Sequence, residues 1–481
     1  MNSGGGAAPT ILTPKDLIKA GLNPELCKLG EVTTVTTTIL DPWFPHIIEP
    51  CGGGLVLANY GTKDPSKWKV VPFLEWDDME DKPHVYVCPF DEAVYKGAVL
   101  LADAHDVPGS LFGAPPSPGD LLTEIMEFAR DYVDLPEEDM LLSSAYVMLS
   151  YLQDSFYALP FLRFRGDTGS GKTRALYVFG TLTYKVLCAG GSATPAGMRR
   201  LLDKWRGSLA VDEADFNRSD ERQDVTKMLN ARNEKGEFSN YIACDKNDPR
   251  DVDVMRLFGA TTLATRKSFD DKALEGRCLT ISMKETSRTD LPVNLDMAFR
   301  FRREALRAKL TAFRIFRLAN RWEPEPLEKG AWGEMESMEP RLKQVFEPMM
   351  QMMGEDRGIL MAFMERHRRN IVDERSGSFT GILIGAMYSL LDEIDDPSAK
   401  DIMDHLKENA GLEKVSPQRI GKELSALGLK AKRTGKRRFY DMADKDNFDA
   451  YTVALRRYIP DMLEIDRPGT KMVQSALKGD E

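Results

Sequence analysis

Residues 166–173 have the clearest chemistry in the sequence, because they match the pattern GxxxxGK[ST] of loops that bind nucleotide phosphates. They follow an apolar strand predicted at 161–165 and precede a helix predicted at 172–182. The loop is predicted to turn its backbone N–H groups toward ATP, with Lys172 on the β- and γ-phosphates and the Thr173 hydroxyl on Mg²⁺. The predicted nucleotide-binding residues are Gly166, Asp167, Thr168, Gly169, Ser170, Gly171, Lys172 and Thr173.

A second, acidic motif lies forty residues beyond Lys172, where the apolar run 209–211 is followed by Asp212 and Glu213. A carboxylate at the tip of a buried strand can hold Mg²⁺ through water, and we assign this role to Asp212. Glu213 is placed to orient and deprotonate the attacking water, as an ATPase requires and a simple nucleotide binder does not. Behind an intact phosphate loop, this motif predicts ATP hydrolysis.

The two motifs lie in a segment where short apolar strands alternate with helices. Strands are predicted at 161–165, 185–189 and 208–212, and a helix that begins after Thr194 lies between the last two. This alternation indicates an α/β fold with a mainly parallel sheet covered by helices on both faces. The additional strand and helix between the motifs, with the glutamate in the second motif, indicate the class of P-loop proteins that contains AAA+ ATPases and ring helicases.

Two of the predicted strands contain polar residues that need an explanation. One strand ends in a candidate catalytic residue, and the other contains two arginines whose charges need solvent or a carboxylate. The small-residue strand 259–265 ends in a polar residue, and in AAA+ proteins this position carries the sensor that hydrogen-bonds the γ-phosphate or the attacking water. We assign the sensor to Thr265, with Arg266 as the alternative, and an ordinary core strand explains the pattern equally well. Arg163 and Arg165 interrupt the first strand, so each must reach solvent or a carboxylate.

The chain divides into segments of different composition. Residues 1–10 are rich in glycine and alanine and predict a disordered leader, and the valine- and threonine-rich runs within 11–104 predict a β-rich N-terminal domain. The proline- and glycine-rich stretch 105–120 predicts a linker. The remaining predicted segments are an AAA+-type ATPase domain at 121–290, a helical lid region at 291–395, a winged helix at 396–460 and a C-terminal tail at 461–481.

The winged-helix prediction rests on a helix, a turn, a second helix and a basic hairpin between 398 and 440. Ser416 is predicted to cap the second helix and Gly428 to end it. Residues 411–440 contain nine lysines and arginines and two glutamates. A basic hairpin after a capped helix predicts duplex DNA binding, and a solvated basic face or a protein-docking domain is the alternative. The predicted contacts are Lys432, Arg433, Lys436, Arg437 and Arg438.

The composition excludes some classes of function. A formal net charge of -10 argues against a protein that coats nucleic acid with its whole surface, so any DNA site must be local. No apolar stretch approaches the roughly 18 residues needed to cross a bilayer, and the expected compartment is the cytoplasm. Six scattered cysteines favour reduced thiols. Four possible zinc ligands have loose spacing and no CxxC knuckle, so unliganded side chains are preferred; they are His46, Cys51, His84 and Cys88.

Four segments of the chain resemble a known family: FLRFRGDTGSGKTRAL, SATPAGMRRL, GSLAVDEADF and LATRKSFDDKALEGRCLTI. They are similar to the helicase-like ATPases of phages, plasmids and integrative elements, which are related to MCM and superfamily-three ring helicases. The resemblance covers residues 121–370, with a winged helix after them. It implies a homo-oligomeric ring, with a hexamer favoured, that translocates on single-stranded DNA in its channel and is often encoded by a mobile element.

The resemblance also implies roles for three further residues. The polar segment CDKNDPRD, with Lys246 and Arg250, corresponds to the loop that grips the DNA strand inside such rings. Arg277 lies near the position where ring ATPases carry an arginine that reaches the γ-phosphate bound by the neighbouring subunit. A surface salt bridge of Arg277 with Glu275 or Asp271 is the alternative.

Together these features predict an ATP- and Mg²⁺-dependent DNA motor, with a replicative ring helicase of a mobile genetic element as the favoured interpretation. It is expected to hold single-stranded DNA in its channel and duplex DNA at the winged helix. Two alternatives stay open, namely an ATPase that loads or remodels a partner protein on DNA, and a DNA-binding regulator switched by ATP. Stimulation of the ATPase by single-stranded DNA favours the motor, whereas stimulation by a partner or duplex binding without unwinding favours the alternatives.

Overall fold

The computed structural model describes residues 13–19, 22–40, 46–62, 64–77, 83–89, 92–111, 117–212, 219–244, 252–328, 330–333, 338–412, 415–435 and 437–459. The chain divides into two compact units, Met1–Phe363 and Met364–Glu481. The helices among the described residues are each too short or too polar to span a lipid bilayer.

The described residues of the amino-terminal part of the first unit form two three-stranded sheets and three short helices. The strands are β1 (Glu31–Thr34), β2 (His46–Cys51), β3 (Gly54–Asn59), β4 (Lys69–Val71), β5 (Phe73–Asp77) and β6 (Pro83–Val87). The helices are α1 (Pro14–Lys19), α2 (Glu92–Tyr95) and α3 (Asp106–Gly109). One sheet has the order β1–β6–β5 and the other the order β2–β3–β4. Helix α3, with its buried Val107, lies inside the stretch predicted as a linker.

The central sheet of the first unit has five strands, all parallel. Its strands are β7 (Phe161–Arg165), β8 (Leu187–Ala189), β9 (Leu209–Val211), β12 (Thr261–Thr265) and β13 (Cys278–Ser282). Their order is β13–β7–β12–β9–β8, so β12 lies between the strands that precede the two predicted ATP-site motifs. Strands β7, β9 and β12 are buried over almost their whole length, as expected for a parallel sheet covered on both faces. The predicted α/β core with a parallel sheet is confirmed. A separate antiparallel hairpin consists of β10 (Asn240–Cys244) and β11 (Val252–Arg256).

The edge strand β8 is not open to solvent along its outer side. The backbone N–H of Cys188 donates to Ala98 O at 2.7 Å, and the N–H of Leu100 donates to Val186 O at 2.9 Å. An edge strand presents unpaired backbone groups that favour aggregation, and these bonds satisfy part of them. The amino-terminal region is thereby joined directly to the central sheet.

The described part of the first unit contains eight further helices, which surround this sheet or follow it in the chain. They are α4 (Pro118–Arg130), α5 (Glu137–Tyr151), α6 (Lys172–Ala175), α7 (Pro195–Trp205), α8 (Ser219–Arg232), α9 (Lys272–Glu275), α10 (Met297–Ala319) and α11 (Pro340–Met353). Helix α6 continues as a π-helical turn over Leu176–Gly180. The predicted start of α7 is confirmed, because the Thr194 side chain accepts a hydrogen bond from Gly197 N–H.

A buried ion network fixes the amino-terminal strands to the rest of the unit. Glu49 on β2 accepts a hydrogen bond from the Tyr184 hydroxyl at 2.7 Å and lies 3.1 Å from Lys185 Nζ. Arg314 on α10 lies 3.4 Å from the same carboxylate and also contacts Asp154. Burial alone would raise the pKa of Glu49, but the charges of Lys185 and Arg314 hold this pKa below its ordinary value.

The second unit contains helices around a small apolar core and one antiparallel hairpin. Its elements are α12 (Met361–Ser376, which begins in the first unit), α13 (Phe379–Leu390), α14 (Ala399–Ala410), α15 (Pro417–Ala426), β14 (Lys432–Thr434), β15 (Arg437–Phe439) and α16 (Lys445–Tyr458). Leu406, Ile420 and Leu455 are among its fully buried residues. The Ser416 side chain caps α15 by accepting from Arg419 N–H at 3.3 Å. The order helix, helix, hairpin agrees with the sequence prediction.

Candidate functional site

The phosphate loop lies between β7 and α6, and its glycines are needed for its shape. Gly169 and Gly171 have φ angles of +89° and +83°, which residues with a Cβ atom rarely adopt. A Cβ atom on Gly166 would come within 2.8 Å of Met283 O. A different residue at any of these positions would therefore strain or open the loop.

The polar side chains of the loop converge on one carbonyl. Lys172 is buried, and its Nζ donates to Asp167 O at 3.1 Å. The Ser170 hydroxyl donates to the same oxygen at 2.8 Å. Asp167 and Thr168 are exposed at the mouth of the loop. The ammonium group of Lys172 is thus held inside the loop, where a phosphate can replace the carbonyl as its partner.

The two predicted Mg²⁺ ligands lie next to each other. The Thr173 hydroxyl donates to Asp212 Oδ1 at 3.1 Å, and Asp212 directly follows β9. A hydroxyl and a carboxylate are ligands suited to Mg²⁺, which is usually bound by one or two protein oxygens together with phosphate and water. The residues present therefore fit the ion. Glu213 lies outside the described residues, so its role stays a prediction.

Thr265 lies at the carboxyl end of β12 and contacts the phosphate loop. Its backbone oxygen accepts a hydrogen bond from Gly166 N–H at 3.2 Å. Its side chain is fully buried, and its hydroxyl has no hydrogen-bond partner among the described residues. Arg266, the alternative sensor, is exposed. Thr265 therefore holds the first glycine of the loop through its backbone oxygen.

An open cleft of about 440 Å³ adjoins the loop. Its lining includes three residues absent from the sequence prediction, which are Arg174, Tyr177 and Leu295. Arg174 donates to Pro292 O at 2.9 Å and to Val293 O at 2.6 Å, so the segment before α10 forms a wall of the cleft. Tyr177 lies four residues after Thr173 and could be found from helical spacing. Leu295 could not, because only folding brings it to the loop.

The two arginines of β7 have partners in the same unit. Arg163 is buried, and both of its Nη atoms bind the carboxylate of Glu275, while Nε donates to Thr280 Oγ1 at 3.1 Å. Burial would raise the pKa of Glu275, but its hydrogen bonds with Arg163 hold this pKa below its ordinary value. Arg165 donates to Ser268 Oγ at 2.6 Å. The expected carboxylate partner of Arg163 is therefore Glu275.

Arg277 lies at the end of β7 that is far from the phosphate loop. Its carbonyl accepts a hydrogen bond from Phe161 N–H, the first residue of β7, at 2.9 Å. Its guanidinium contacts Asn230 and lies 3.9 Å from Glu234. The salt bridge of Arg277 is therefore with Glu234 and not with Glu275 or Asp271, since Glu275 binds Arg163 and Asp271 caps α9. The five residues of β7 span about 16 Å, and this length separates Arg277 from the cleft of its own chain.

The basic hairpin of the second unit has an unusual pairing of charges. Arg433 on β14 lies directly opposite Arg438 on β15, and both are exposed. Lys432 instead lies 2.7 Å from Asp441 and 3.0 Å from Asp444. Arg437 donates to Asp396 O at 3.1 Å. The other predicted DNA contacts, Lys246, Arg250 and Lys436, lie outside the described residues.

Comparison with known proteins gives distant structural similarities. No family model matches the chain, and no curated protein matches it. The active helicase Cch of SCCmec type IV has 13% identity and a TM-score of 0.41, with 92% of this chain and 88% of that chain covered. The C-terminal region of NrS-1 has 9% identity and a TM-score of 0.36, covering 76% and 81%. The Aeropyrum pernix ORC1 protein in complex with DNA has 14% identity and a TM-score of 0.21, covering 71% and 97%. Because these TM-scores are low, the chemistry of the site is inferred from the geometry of its own residues.

Proposed function

We propose that this protein hydrolyses ATP with Mg²⁺ at the cleft beside the phosphate loop. The observation that carries the proposal is the contact of Thr173 with Asp212 beside a loop that only glycines can form. Lys172 would bind the β- and γ-phosphates, and Thr173 and Asp212 would hold Mg²⁺, which neutralises phosphate charge when bound. Glu213 would activate the attacking water, and Thr265 would orient the γ-phosphate or that water.

We further propose that ATP hydrolysis drives movement on DNA.

Two arginines placed side by side on a hairpin repel each other, and an anion between or above them removes the repulsion. The phosphates of duplex DNA would fit Arg433 and Arg438 for this reason. Arg437 and Lys436 are proposed as further contacts, although Arg437 lies on the other face of the hairpin from Arg438. Lys432 would contribute less, because two carboxylates already hold its ammonium group.

The proposed assembly is a homo-oligomeric ring, with a hexamer favoured, in the cytoplasm of a host cell. The resemblance of the motifs to helicase-like ATPases of mobile elements supports it. Because Arg277 lies at the far end of β7, its proposed action on a bound nucleotide requires a neighbouring copy. Lys246 and Arg250 would grip single-stranded DNA in the channel of this replicative helicase.

A strand-displacement assay on forked DNA with each tail polarity tests the motor. We expect unwinding that needs ATP and one tail polarity, together with an ATPase that single-stranded DNA stimulates. The Lys246→Ala variant should hydrolyse ATP but unwind poorly. ATPase stimulation only by a protein partner would support a loader instead, and duplex binding without unwinding would support a regulator.

Mixing two inactive variants tests the ring. Lys172→Ala subunits should bind ATP weakly and not hydrolyse it, and Arg277→Ala subunits should bind ATP but hydrolyse it poorly. A mixture should regain activity, because some interfaces pair an intact phosphate loop with an intact arginine. If Arg277→Ala hydrolyses ATP at the parent rate and the mixture gains nothing, Arg277 has no role across an interface.

A further inference from the structure

The cleft beside the phosphate loop extends past the residues that would hold the phosphates of a nucleotide. Its volume is about 440 Å³, and its lining continues from the loop to Arg174, Tyr177 and Leu295. The backbone of the loop and Lys172 account for the phosphates. The sugar and the base of a bound nucleotide would therefore lie along the part of the cleft that these three residues line.

Tyr177 offers an aromatic ring to this part of the cleft. It is 44% exposed, although it belongs to the π-helical turn Leu176–Gly180 of the phosphate-loop helix. Its ring packs against Phe299, with centroids 6.0 Å apart, and Phe299 is itself fully buried against Phe128 at 5.2 Å. Turns of this type are frequent at functional sites. An aromatic ring that is supported by the core and still open to a cleft can stack on the base of a nucleotide.

Leu295 adds an aliphatic side chain to the same part of the cleft. It is half-buried and lies just before α10. The start of α10 is fixed, because the Asp296 side chain accepts a hydrogen bond from Phe299 N–H at 3.0 Å. Pockets that bind small molecules are lined mainly by aromatic and aliphatic side chains, with few polar groups. Tyr177 and Leu295 give this end of the cleft that character, whereas the phosphate loop gives the other end polar groups.

Arg174 fixes the chain segment that carries Leu295. One Nη atom donates to Pro292 O at 2.9 Å and the other donates to Val293 O at 2.6 Å. These two hydrogen bonds hold the backbone before α10 against the first turn of the phosphate-loop helix. The position of Leu295 in the cleft therefore depends on Arg174.

We propose that Tyr177 and Leu295 bind the base of the nucleotide and that Arg174 positions Leu295, an inference that rests on the proposed function. The base stacks on the ring of Tyr177 and contacts the side chain of Leu295. Both Nη atoms of Arg174 are engaged by backbone carbonyls, so Arg174 shapes the cleft and leaves the phosphates to the loop and Lys172. Its place directly after Thr173 would otherwise suggest a phosphate ligand.

The test compares two ligands on the full chain, each with Mg²⁺ and each measured by calorimetry. One ligand is a non-hydrolysable ATP analogue, and the other is inorganic tripolyphosphate, which can occupy the phosphate loop but has no base. The variants are Tyr177→Ala, Tyr177→Phe and Arg174→Ala. The matched control is Tyr95→Ala on α2, which removes a tyrosine that is 74% exposed in the same unit. Lys172→Ala should weaken the binding of both ligands and so shows that tripolyphosphate reports the loop.

We expect Tyr177→Ala to weaken binding of the ATP analogue by about tenfold, as loss of a base–aromatic stack does, and to change tripolyphosphate binding by less than about twofold. Unchanged tripolyphosphate binding also shows that the loop is still folded. Tyr177→Phe should bind the analogue like the parent, because phenylalanine keeps the ring. Arg174→Ala should weaken binding of the analogue and leave tripolyphosphate binding unchanged. Tyr95→Ala should match the parent with both ligands.

Parent-like binding of the analogue by Tyr177→Ala would overturn the base site and leave the ATPase proposal intact. Equal loss of both ligands in Tyr177→Ala would overturn it as well, because the tyrosine would then support the loop and not the base. Loss of tripolyphosphate binding in Arg174→Ala would make Arg174 a phosphate ligand and overturn its positioning role. A parent that binds neither ligand would instead overturn the proposed function, and the base site with it.

Discussion

The hydroxyl of Thr173 donates a hydrogen bond to Asp212 at 3.1 Å, although the two residues are 39 positions apart. They follow different strands, β7 and β9, which β12 separates. The carboxyl ends of parallel strands meet at one edge of the sheet, so a loop and an acid that follow these strands come together there. This edge is where we propose that ATP and Mg²⁺ bind.

The first prediction concerns this pair. Thr173→Ala and Asp212→Asn should each raise the Mg²⁺ concentration for half-maximal ATPase activity by about tenfold, because each removes a proposed ligand of the ion. The double variant should be little worse than the more affected single variant, since both act on one ion. Steady-state hydrolysis in a Mg²⁺ titration measures this. Fully additive effects would mean that the two groups bind different partners.

The second prediction separates nucleotide binding from chemistry. Lys172→Ala should weaken ATP binding and abolish hydrolysis, because the ammonium group contacts phosphate. Glu213→Gln should bind ATP like the parent and hydrolyse it at least ~100-fold more slowly, because the carboxylate acts on water. Fluorescent-nucleotide titration and phosphate release measure the two steps. Parent-like turnover by Glu213→Gln would show that another group activates the water.

The third prediction concerns the buried charge of Arg163. Glu275→Ala should lower the free energy of unfolding of the first unit by about 3 kcal/mol, because it leaves that guanidinium without a counter-charge inside the sheet. Glu323→Ala, which removes an exposed carboxylate of the same unit, should change it by less than about 0.5 kcal/mol. All six tryptophans lie within residues 1–363, so their fluorescence in urea reports this unit. Equal effects of the two variants would contradict the assignment.

The fourth prediction is a loss of stability in acid through Glu49. Its pKa in the folded chain lies below the ordinary value of 4.5, so the charged form stabilises the fold above that pH. As pH falls from about 5 toward the folded pKa, this stabilisation is lost, with a slope of at most about 1.4 kcal/mol per pH unit. In Glu49→Gln the slope should be smaller and the stability at pH 7 lower. Urea unfolding followed by tryptophan fluorescence at several pH values checks both, and an unchanged slope would exclude Glu49 as the titrating group.

The fifth prediction concerns the hairpin of the second unit. Replacing Arg433 and Arg438 together by glutamine should weaken binding to duplexes of any sequence and reduce the slope of log affinity against log salt by about 2. The same change should stabilise the hairpin slightly, because it removes the repulsion of like charges. Lys432→Gln, the control, should change the slope less. Fluorescence anisotropy at several salt concentrations measures the slopes, and equal slopes in all three proteins would remove the hairpin from the DNA interface.

The sequence by itself determined the structural elements that depend only on residues close together in the chain. A phosphate loop needs specific residues at fixed spacing within one turn, so Gly166, Lys172 and Thr173 were identifiable without a fold. Short apolar runs between helices predicted the parallel strands, and the cap at Thr194 predicted the start of a helix. Ser416 as a helix cap and the basic hairpin could also be predicted, because their residue patterns lie within a short stretch of the chain.

Only the tertiary structure decided what depends on contacts between distant segments. Spacing along the chain does not say that Glu275 neutralises Arg163, that Leu295 reaches the cleft, or that Arg277 lies at the far end of β7. A count of basic residues also does not show that two carboxylates neutralise Lys432, whereas Arg433 lies opposite another arginine. These relations follow from strand order and packing, which bring together Arg163 and Glu275 from 112 positions apart and which orient the neighbouring residues of the hairpin differently.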